Sequence, residues 1–565
     1  MNIWRINVRE QACEVSPVPA GWESLAGRGL IVRILVDEVS GECEPLGRYN
    51  KLIFSPGLLV GYGLSSCDRI SVGGKSPLTL GIKEANAGGT TGLKLATLGI
   101  RALIIENVPQ GPGWWVLHIS RERARFDAAD DLSGKGADET TRLLLQRYGS
   151  SIAAALIGPA GEMGLISAGI QNLDKDNVPS RIAARGGLGA VMGSKGLKAI
   201  VIDGAGGVKP TIYDLEAYKL ARKRYTEVLV NHPQTATYRD YGTAAMAQMC
   251  NALGALPTRN FSSGQFEDVG AISGEHMRDL LLERGGESET THACMAGCSI
   301  RCSNTYGDQD GKSIVSPLEY ETIGLMGSNL GIANLDTIAL MNQKANDLGL
   351  DTIELGAALG VAADAGVMTY GDGERALALI DEISQGKPLG RLLGSGATIT
   401  GRVLNVQRIP AVKGQAMSAY DPRAIKGTGV TYATSAQGAD HTSGLTIRAK
   451  VNHLDPQGQV DASRNAQYNM AGYDTLGACI FAGFGFGASP ESIRDLLNTI
   501  YNWQTDTGIL QKLGKTTILL EREFNTKAGF TREHDRLPEW MTEEALAPHQ
   551  VVFDVPPGEM DKIFD

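Results

Sequence analysis

The sequence predicts an α+β protein, in which a β-rich N-terminal domain is followed by two mainly helical domains. Over residues 1–205, short apolar runs alternate with glycine-rich turns, a pattern typical of strands. From residue 206 onward, apolar residues recur with the period of an amphipathic helix. A weaker change of pattern near Pro410 separates the second helical region from the third. The predicted domains are therefore 1–205, 206–410 and 411–565.

In the first domain, apolar and β-branched runs bounded by turn residues predict strands. These runs are KLIFSPGLLV (51–60), RISVGG (69–74), RALIIENV (101–108), WWVLHIS (114–120) and KAIVIDG (198–204). Two helices are predicted between them, in GGTTGLKLATLG (88–99) and DETTRLLLQRYG (138–149).

Beyond residue 206 the clearest predicted helices are 213–232, 273–285, 335–351, 372–386 and 491–508. Asp214, Ser273 and Asp336 lie near predicted helix starts, where a side-chain oxygen can accept a free backbone N–H. The last stretch, 548–565, is predicted to be an extended tail.

Composition and charge exclude several classes of function. The chain of 565 residues has a net charge of −10 and no basic stripe, which argues against nucleic-acid binding. Its N-terminus, MNIWRINVRE, has charges where a signal peptide would be apolar. The most apolar tract, 476–488, is too short and glycine-rich to span a bilayer. We therefore expect a soluble, cytoplasmic protein. Glycine is over-represented, with 71 residues against a usual ~7%.

Three of the eight cysteines fall within nine residues, at Cys294, Cys298 and Cys302, and Cys479 lies far downstream. This is not the pattern of a disulfide framework, and it suggests a metal or cluster site in a reducing compartment. On a continuous helix the Cα atoms of the first and third cysteines would be about 12 Å apart, too far for one compact cluster. A loop is therefore expected, with Gly297 supplying the turn. Three thiols in a loop and one distant thiol fit an iron–sulfur cluster better than zinc. The alternative is buried core cysteines at chance spacing.

In four segments of the first domain, glycines, which leave the backbone N–H groups uncovered by side chains, lie close in sequence to a polar or basic residue. These segments are 26–39 with Arg28, 71–81 with Lys75, 84–96 with Asn86, and 183–199 with Arg185 and Lys195. Outward-pointing N–H groups near a cation can bind phosphate. None matches a P-loop or the dinucleotide fingerprint, and a tight structural turn is the alternative for each. Together they favour a phosphate-bearing cofactor.

Three further patterns could contribute to a site. Glu319 and Glu321 are two residues apart, so on a helix at most one would point into a given site, and a solvated acid is the alternative. His441 lies in a loop of small residues and is either functional or structural. The segments NDLGLD (346–351) and DTLGAC (474–479) share one form. They are either a pair of similar ligand loops or a pair of helix C-caps.

Taken together, these motifs resemble the tungsten-containing aldehyde:ferredoxin oxidoreductases and their bispterin relatives. The resemblance runs from AGRGL (26–30) to DTLGAC (474–479). It is strongest in KSPLT…NAGG, in RGGLGAVMGSKGLKAI, and in EYETIGLMGSNLGI…LGLDTI, and YATSAQGADH is also similar. So many motifs in one order are far more specific than any single glycine loop.

The resemblance implies a function and a cofactor set. The expected reaction is oxidation of an aldehyde to a carboxylic acid at a tungsten or molybdenum bispterin. Electrons would leave through a [4Fe-4S] cluster to ferredoxin or an iron–sulfur partner subunit. A Mg²⁺ ion would bridge the pterin phosphates, and a homodimer is compatible with the family. The β-rich first domain would cradle the pterins.

The resemblance also implies roles for individual residues. Glu321 and His441 would be the acid–base residues. Cys294, Cys298, Cys302 and Cys479 would bind the cluster. The two pterins would be contacted through Asn346, Asp351, Asp474, Gly477 and the backbone of Cys479. The pterin phosphates would be surrounded by Arg69, Lys75, Asn86, Ala87, Gly88, Arg185, Gly186 and Gly187.

The sequence departs from the family pattern in several places. The first cysteine gap has three residues, where the family usually has two, and Asn346 replaces a usual Asp. The E-x-x-H pattern of an intersubunit iron site is replaced by LMNQ (340–343), so we expect no such iron. The usual Gly-x-x-Gly opening is also missing. Two alternatives are a reductive subunit of benzoyl-CoA-reductase type and a non-catalytic electron-transfer subunit of the same fold.

Overall fold

Two six-stranded mixed sheets form the N-terminal part of the computed structural model, which describes residues 1–565. The strand order is β2-β1-β6-β3-β4-β5 in the first sheet and β11-β10-β9-β12-β7-β8 in the second. The strands are β1 (Asn2–Asn7), β2 (Ala12–Pro17), β3 (Leu52–Pro56), β4 (Ile70–Lys75), β5 (Ile82–Ala87), β6 (Ile100–Glu106), β7 (Trp115–Ile119), β8 (Ala124–Ala128), β9 (Ile152–Leu156), β10 (Ile170–Asn172), β11 (Arg181–Ala183) and β12 (Leu197–Asp203). Five helices accompany them: α1 (Gly27–Glu38), α2 (Thr91–Thr97), α3 (Ala137–Tyr148), α4 (Pro159–Glu162) and α5 (Leu188–Ser194).

All five predicted strands and both predicted helices of this region are confirmed, with one strand shorter than expected. In 51–60 the strand β3 ends at Pro56. The following turn instead donates the N–H groups of Leu58 and Leu59 to the carbonyls of Thr475 and Leu476. The second half of the expected strand is therefore a turn, and this turn contacts the distant 474–479 segment.

One glycine-rich segment is not a loop. Residues 27–38 form helix α1, which is buried along most of its length and packs on β3, β4 and the later helix α20 (Ile509–Lys527). The expectation of a phosphate loop there is wrong. A Cβ on Gly27 would lie 2.2 Å from the carbonyl oxygen of Asp474, so this glycine allows close helix packing.

The remainder of the chain is mainly helical, as the periodicity predicts. Its helices are α6 (Leu215–Asn231), α7 (Pro233–Tyr241), α8 (Met246–Ala252), α9 (Gly274–Arg284), α10 (Tyr320–Met326), α11 (Leu335–Leu348), α12 (Thr352–Asp364), α13 (Gly373–Ser384), α14 (Pro388–Leu393), α15 (Ala397–Leu404), α16 (Lys426–Thr434), α17 (Gln459–Leu476), α18 (Gly483–Ala488), α19 (Glu491–Tyr501), α20, α21 (Trp540–Glu543) and α22 (Pro557–Met560). Short strands β13 (Glu289–His292), β14 (Ser303–Gly307), β15 (Ser313–Val315), β16 (Ala411–Val412) and β17 (Gln415–Ala416) interrupt them. The α+β class is confirmed, and the boundaries at 205 and 410 stay predictions.

The helix starts and the C-terminal tail differ in detail from expectation. Asp214 and Ser273 cap α6 and α9 by accepting backbone N–H groups, as predicted. The cap of α11 is Asn334, and Asp336 instead pairs with Arg284. The segment 548–565 is not a free tail, because Phe553 and three other apolar residues of it are buried in the main core.

The core is divided in the same way as the fold. One cluster of 89 buried apolar residues spans the helical part, and clusters of 26 and 15 residues include the faces of the N-terminal sheets. None of the helices combines the length and the apolar character that a membrane crossing needs.

Candidate cofactor-binding and active site

A cavity of about 870 Å³ lies between the N-terminal sheets and the helical part. Segments from both regions line it, which fits the general tendency of ligand sites to form where two layers meet. The predicted site residues on its wall are Arg69, Asn86, Ala87, Gly88, Cys294, Cys302, Glu321, His441, Asp474 and Cys479. These residues are spread over more than 400 positions of the sequence, from 69 to 479, and the fold brings them to one space.

The four cysteines of the predicted cluster converge at one end of this cavity. Residues 293–301 form an irregular loop with Gly297 at φ +74°, so the predicted loop is confirmed. The Ser66 hydroxyl lies 3.4 Å from the sulfur of Cys298. A hydrogen bond with the Cys294 thiol lowers the pKa of Cys298 to about 5. The charge of Cys479 is also close enough to raise the pKa of Cys302, which burial already raises.

Glu321 and His441 face each other across the cavity wall. Glu321 lies in the first turn of α10, and His441 begins a short 3-10 turn that follows α16. His441 Nε2 is 3.4 Å from Glu321 Oε1, and Nδ1 of the same ring is 2.8 Å from the Ser418 hydroxyl. The Ala419 N–H donates to Glu321 Oε2 at 2.8 Å. The carboxylate and the imidazole are therefore both held in place, with one edge of each turned towards the other.

Glu319 lines the same cavity, which contradicts the expectation that only one of the two acids would do so. It precedes α10 in extended backbone with φ −111°, so helical spacing does not separate it from Glu321. Burial raises the pKa of Glu319, and the charges of Arg181 and Arg69 oppose this effect. Arg181 is a cavity residue that the sequence did not single out.

Near the cysteines, the cavity wall offers groups that suit a phosphate. The antiparallel pairing of β4 with β5 places Ser71 opposite Asn86. Arg69, one residue before β4, donates from Nε to the Asn86 side chain and from Nη2 to the Asn86 carbonyl at 3.0 Å. Two buried polar atoms on the wall, Ser180 Oγ and Arg181 Nε, have no hydrogen-bond partner. Buried donors without partners are costly, so these atoms fit a bound anion.

The wall is also shaped by a glycine and by a buried acid. A Cβ on Gly88 would lie 3.3 Å from the sulfur of Cys294, a tight contact, so glycine at this position leaves more space beside the thiol. Asp474 is buried beside Arg28, whose Nη1 is 3.1 Å from its carboxylate. Burial raises the pKa of Asp474. Together with the orphan donors, this chemistry fits the phosphates and polar ring edges of a pterin.

Both segments of the form D/N-x-x-G are helix C-caps, because Gly349 ends α11 at φ +79° and Gly477 ends α17 at φ +75°. The structural alternative is thus confirmed, and it does not exclude ligand binding. Asp474, Ala478 and Cys479 of the 474–479 segment line the cavity, whereas no residue of the 346–351 segment does.

In the 346–351 segment, one carboxylate oxygen of Asp351 caps α12. The second oxygen, Oδ2, is 3.3 Å from Arg185 Nε. Neither Asp351 Oδ2 nor Arg185 Nε makes a hydrogen bond of good geometry. The Asn346 carbonyl accepts a hydrogen bond from the Gln171 side chain. Arg185 and Asp351 therefore form a buried ion pair, whereas Asn346 is only half-buried, and none of the three residues lines the cavity.

Three predicted cofactor residues are used within the protein itself. The Lys75 amine donates to the carbonyls of Gly41 and Cys43, at 2.5 and 2.8 Å. The Gly186 carbonyl accepts from the Ser76 hydroxyl, and Gly187 is at φ +74° with no room for a Cβ. These contacts give the three residues structural roles, and phosphate binding at these positions stays a prediction.

Comparison with known proteins gives consistent matches. The family model for the N-terminal domain of aldehyde ferredoxin oxidoreductase matches residues 3–204, and the model for its domains 2 and 3 matches residues 220–563. The tungsten-containing aldehyde ferredoxin oxidoreductase of Thermococcus kodakarensis is 33% identical over 549 residues, covering 92% of this chain and 87% of the relative. That of Pyrococcus furiosus is 32% identical with the same coverage.

More distant matches share the fold. A WOR-like subunit of the aliphatic sulfonate oxidoreductase of Pyrococcus furiosus is 28% identical over 459 residues, covering 75% of this chain and 71% of the relative. The solved active-site complex BamBC of benzoyl coenzyme A reductase, bound to 1,5-dienoyl-CoA, superposes with a TM-score of 0.79 at 20% identity. It covers 100% of this chain and 92% of that chain. At this identity the match describes the fold alone.

Proposed function

The chain belongs to the aldehyde ferredoxin oxidoreductase family and is an oxidoreductase of that family, and from this premise we propose the reaction and the residues that perform it. The proposed reaction converts an aldehyde and water to a carboxylate and releases three protons and two electrons, and the electrons pass to the proposed cofactors. The observation that carries the proposal is the Glu321–His441 pair, 3.4 Å apart on the wall of a cavity that also holds three of the four cluster thiols.

The proposed cofactors are a tungsten or molybdenum bispterin, a [4Fe-4S] cluster and a Mg²⁺ ion at the pterin phosphates. When bound, they supply the two-electron redox chemistry and the relay of single electrons to ferredoxin or an iron–sulfur partner subunit. Cys294, Cys298, Cys302 and Cys479 would hold the cluster. Arg69, Asn86, Ser180 and Arg181 would bind phosphate, and Asp474 would bind a pterin ring edge.

The acid–base work is assigned to the two facing side chains. Glu321 Oε1 and His441 Nε2 can share a proton, because each is fixed on its other side by Ala419 or Ser418. When substrate binds, the Nε2–H of His441 would donate to the substrate carbonyl instead of facing Glu321, and the freed carboxylate oxygen would accept a proton from the attacking water. Fixed geometry lowers the entropic cost of reaching the reactive arrangement.

The roles are tested by aldehyde-dependent reduction of a viologen dye under anaerobic conditions. Glu321→Gln and His441→Asn are each expected to lower kcat by about a hundredfold or more, which is the usual contribution of a general acid or base. The matched controls are Glu275→Gln and His276→Asn, since both residues are exposed on α9, outside the cavity lining. Full activity in both test variants would refute the assignment.

The cofactors are tested by elemental analysis of protein purified without oxygen. We expect tungsten or molybdenum, magnesium and about four iron atoms per chain. Cys302→Ser should lose iron, while Cys13→Ser, at an exposed cysteine remote in sequence from the loop, should retain it. Iron without tungsten or molybdenum would favour a non-catalytic electron-transfer subunit. Activity with acyl-CoA thioesters but not with aldehydes would favour the reductive alternative.

A further inference from the structure

The part of the cavity beyond Glu321 and His441 has an aromatic wall. The ring centroids of Tyr238 and Phe481 are 4.4 Å apart, those of Phe481 and Phe484 are 5.6 Å apart, and those of Tyr238 and Phe484 are 5.8 Å apart. All three residues line the cavity, together with Met246. Rings packed at these distances form a stable apolar surface on which a flat or extended apolar group can lie.

Arg448 stacks on two rings of this wall, Tyr238 and Phe484, at the exposed edge of the cavity, and does not stack on Phe481. Its guanidinium carbon lies 5.0 Å from the centroid of Tyr238 and 5.3 Å from that of Phe484. Its polar contacts are the Tyr238 hydroxyl and, at 3.9 Å, the sulfur of Met246. Neither of these partners is a carboxylate, although the chain carries ten more negative than positive charges. The guanidinium is therefore held in place and has N–H groups free for an anion.

The other charges at this edge do not neutralise Arg448. Lys450 is exposed, lines the cavity, and has no ion-pair partner. Asp461 also lines the cavity, but its carboxylate pairs with Arg464 at 2.6 Å. The cavity edge is thus cationic in an acidic protein, a distribution that attracts anionic ligands.

We propose that the substrate is an aldehyde with an apolar, preferably aromatic, body and an anionic group at the end remote from the carbonyl. This inference rests on the proposed aldehyde oxidation. The carbonyl would face Glu321 and His441, the body would pack on the aromatic wall, and the anion would pair with Arg448. A carboxylate suits this position, because the planar guanidinium fork can donate two parallel hydrogen bonds to it.

The first test compares three aldehydes with the same aromatic ring and different para groups: 4-carboxybenzaldehyde, its methyl ester methyl 4-formylbenzoate, and benzaldehyde. The holoenzyme should use the carboxylate with a kcat/KM about tenfold or more above that of the ester, mainly through KM, as one charged hydrogen bond allows. Arg448→Met should bring the ratio close to one, and Arg448→Lys should restore part of it. High salt should also reduce the ratio. The control is Arg402→Met, an exposed arginine outside the cavity lining, which should leave the ratio unchanged.

A binding measurement decides the inference separately from turnover. Calorimetric titration of the holoenzyme with terephthalate, the dicarboxylate product, should show affinity about tenfold or more above that for benzoate, and Arg448→Met should remove the difference. Equal use of all three aldehydes, or equal binding of the two acids, would overturn the inference and leave aldehyde oxidation intact. If no aldehyde reduced the dye, the proposed function would fail, and the terephthalate titration would still decide whether this edge binds anions.

Discussion

The buried ion pair beneath His441 gives the sharpest stability prediction. Lys83 is 0% exposed and Asp440 is 2% exposed, and the Lys83 amine lies 2.5 Å from the Asp440 carboxylate. Asp440 immediately precedes His441, and its other oxygen accepts the N–H of Thr442 at 2.9 Å. Lys83→Met keeps the apolar stem and removes the charge, so Asp440 loses its nearest cation without a cavity of comparable size.

The magnitude follows from what remains around Asp440. Removing one partner of a buried pair typically costs about 3–5 kcal/mol, since the other charge is left desolvated. Arg185 still lies 3.8 Å from Asp440, so we expect the lower value, about 3 kcal/mol. The matched control is Lys219→Met, whose pair with Glu216 has nearly the same length, 2.6 Å, but is 58% and 81% exposed. That loss should stay below about 1 kcal/mol.

The assay is urea unfolding followed by tryptophan fluorescence, with both variants compared with the wild type. A loss of less than about 1 kcal/mol for Lys83→Met, or equal losses for the two variants, would refute the reasoning. The double variant Lys83→Met/Asp440→Asn should recover part of the loss, because it removes the stranded charge.

The same pair predicts a pH dependence. Although burial opposes ionisation, Lys83, Arg185 and His441 hold the pKa of Asp440 well below its usual value. A carboxyl group whose pKa is lower in the folded than in the unfolded state stabilises the fold above its unfolded pKa, about 3.9. This contribution is lost as pH falls towards the folded pKa. The difference between wild type and Lys83→Met should therefore be constant near neutral pH and decrease below about pH 4.

Three further predictions concern packing and buried polar groups. Gly57→Ala would place a Cβ 2.0 Å from the backbone nitrogen of Gly477, so the 474–479 segment must shift. Elemental analysis should then show less bound metal than in wild type, and unchanged metal content would contradict this. Glu354 accepts two backbone N–H groups, each at 2.9 Å, so in Glu354→Gln the side-chain NH2 group would face one of these N–H donors. The free energy of unfolding in urea should fall by about 1–3 kcal/mol, and an unchanged value would contradict the assignment. Phe553→Ala should lower the free energy of unfolding by about 3–5 kcal/mol in the same assay, because Phe553 is buried against Gly429. A decrease of less than about 1 kcal/mol would mean that the C-terminal segment is not packed on the core.

The fold class was predictable because strands and helices have different apolar periods, and both were clear over long stretches. Helix α1 was not predictable in this way, because nine of its twelve residues are buried and its polar face is limited to Arg33, Asp37 and Glu38. Its two first-turn glycines, Gly27 and Gly29, indicate a loop by local rules, although they serve contacts with the 474–475 backbone and the Thr475 side chain. That contact joins segments more than 400 residues apart, so no local pattern reveals it.

The candidate site was likewise predictable only in part. The cysteine spacing, Glu321 and His441 are recognisable in the sequence, and the structure brings them to one cavity. The outer wall is different, because Tyr238, Arg448 and Phe484 come from three separate segments. A tyrosine, an arginine and a phenylalanine in such segments would ordinarily be assigned to core or surface. Their meaning depends on a stacking arrangement that only the tertiary structure supplies.

The extra residue in the first cysteine gap is best understood through the backbone around it. A longer gap could carry one thiol away from the others, yet Cys298 remains close to Cys294 and to the Ser66 hydroxyl. Gly297 sits in left-handed backbone at φ +74°, and a Cβ there would meet nothing within 4 Å, so the added length is taken up by an exposed turn. The Ser299 N–H also donates to the Ser65 hydroxyl at 2.9 Å, which ties the far side of the loop to the N-terminal domain. The three-residue gap therefore contains an exposed turn and keeps the thiols of Cys294 and Cys298 in contact, as the proposed binding of one cluster by this loop requires.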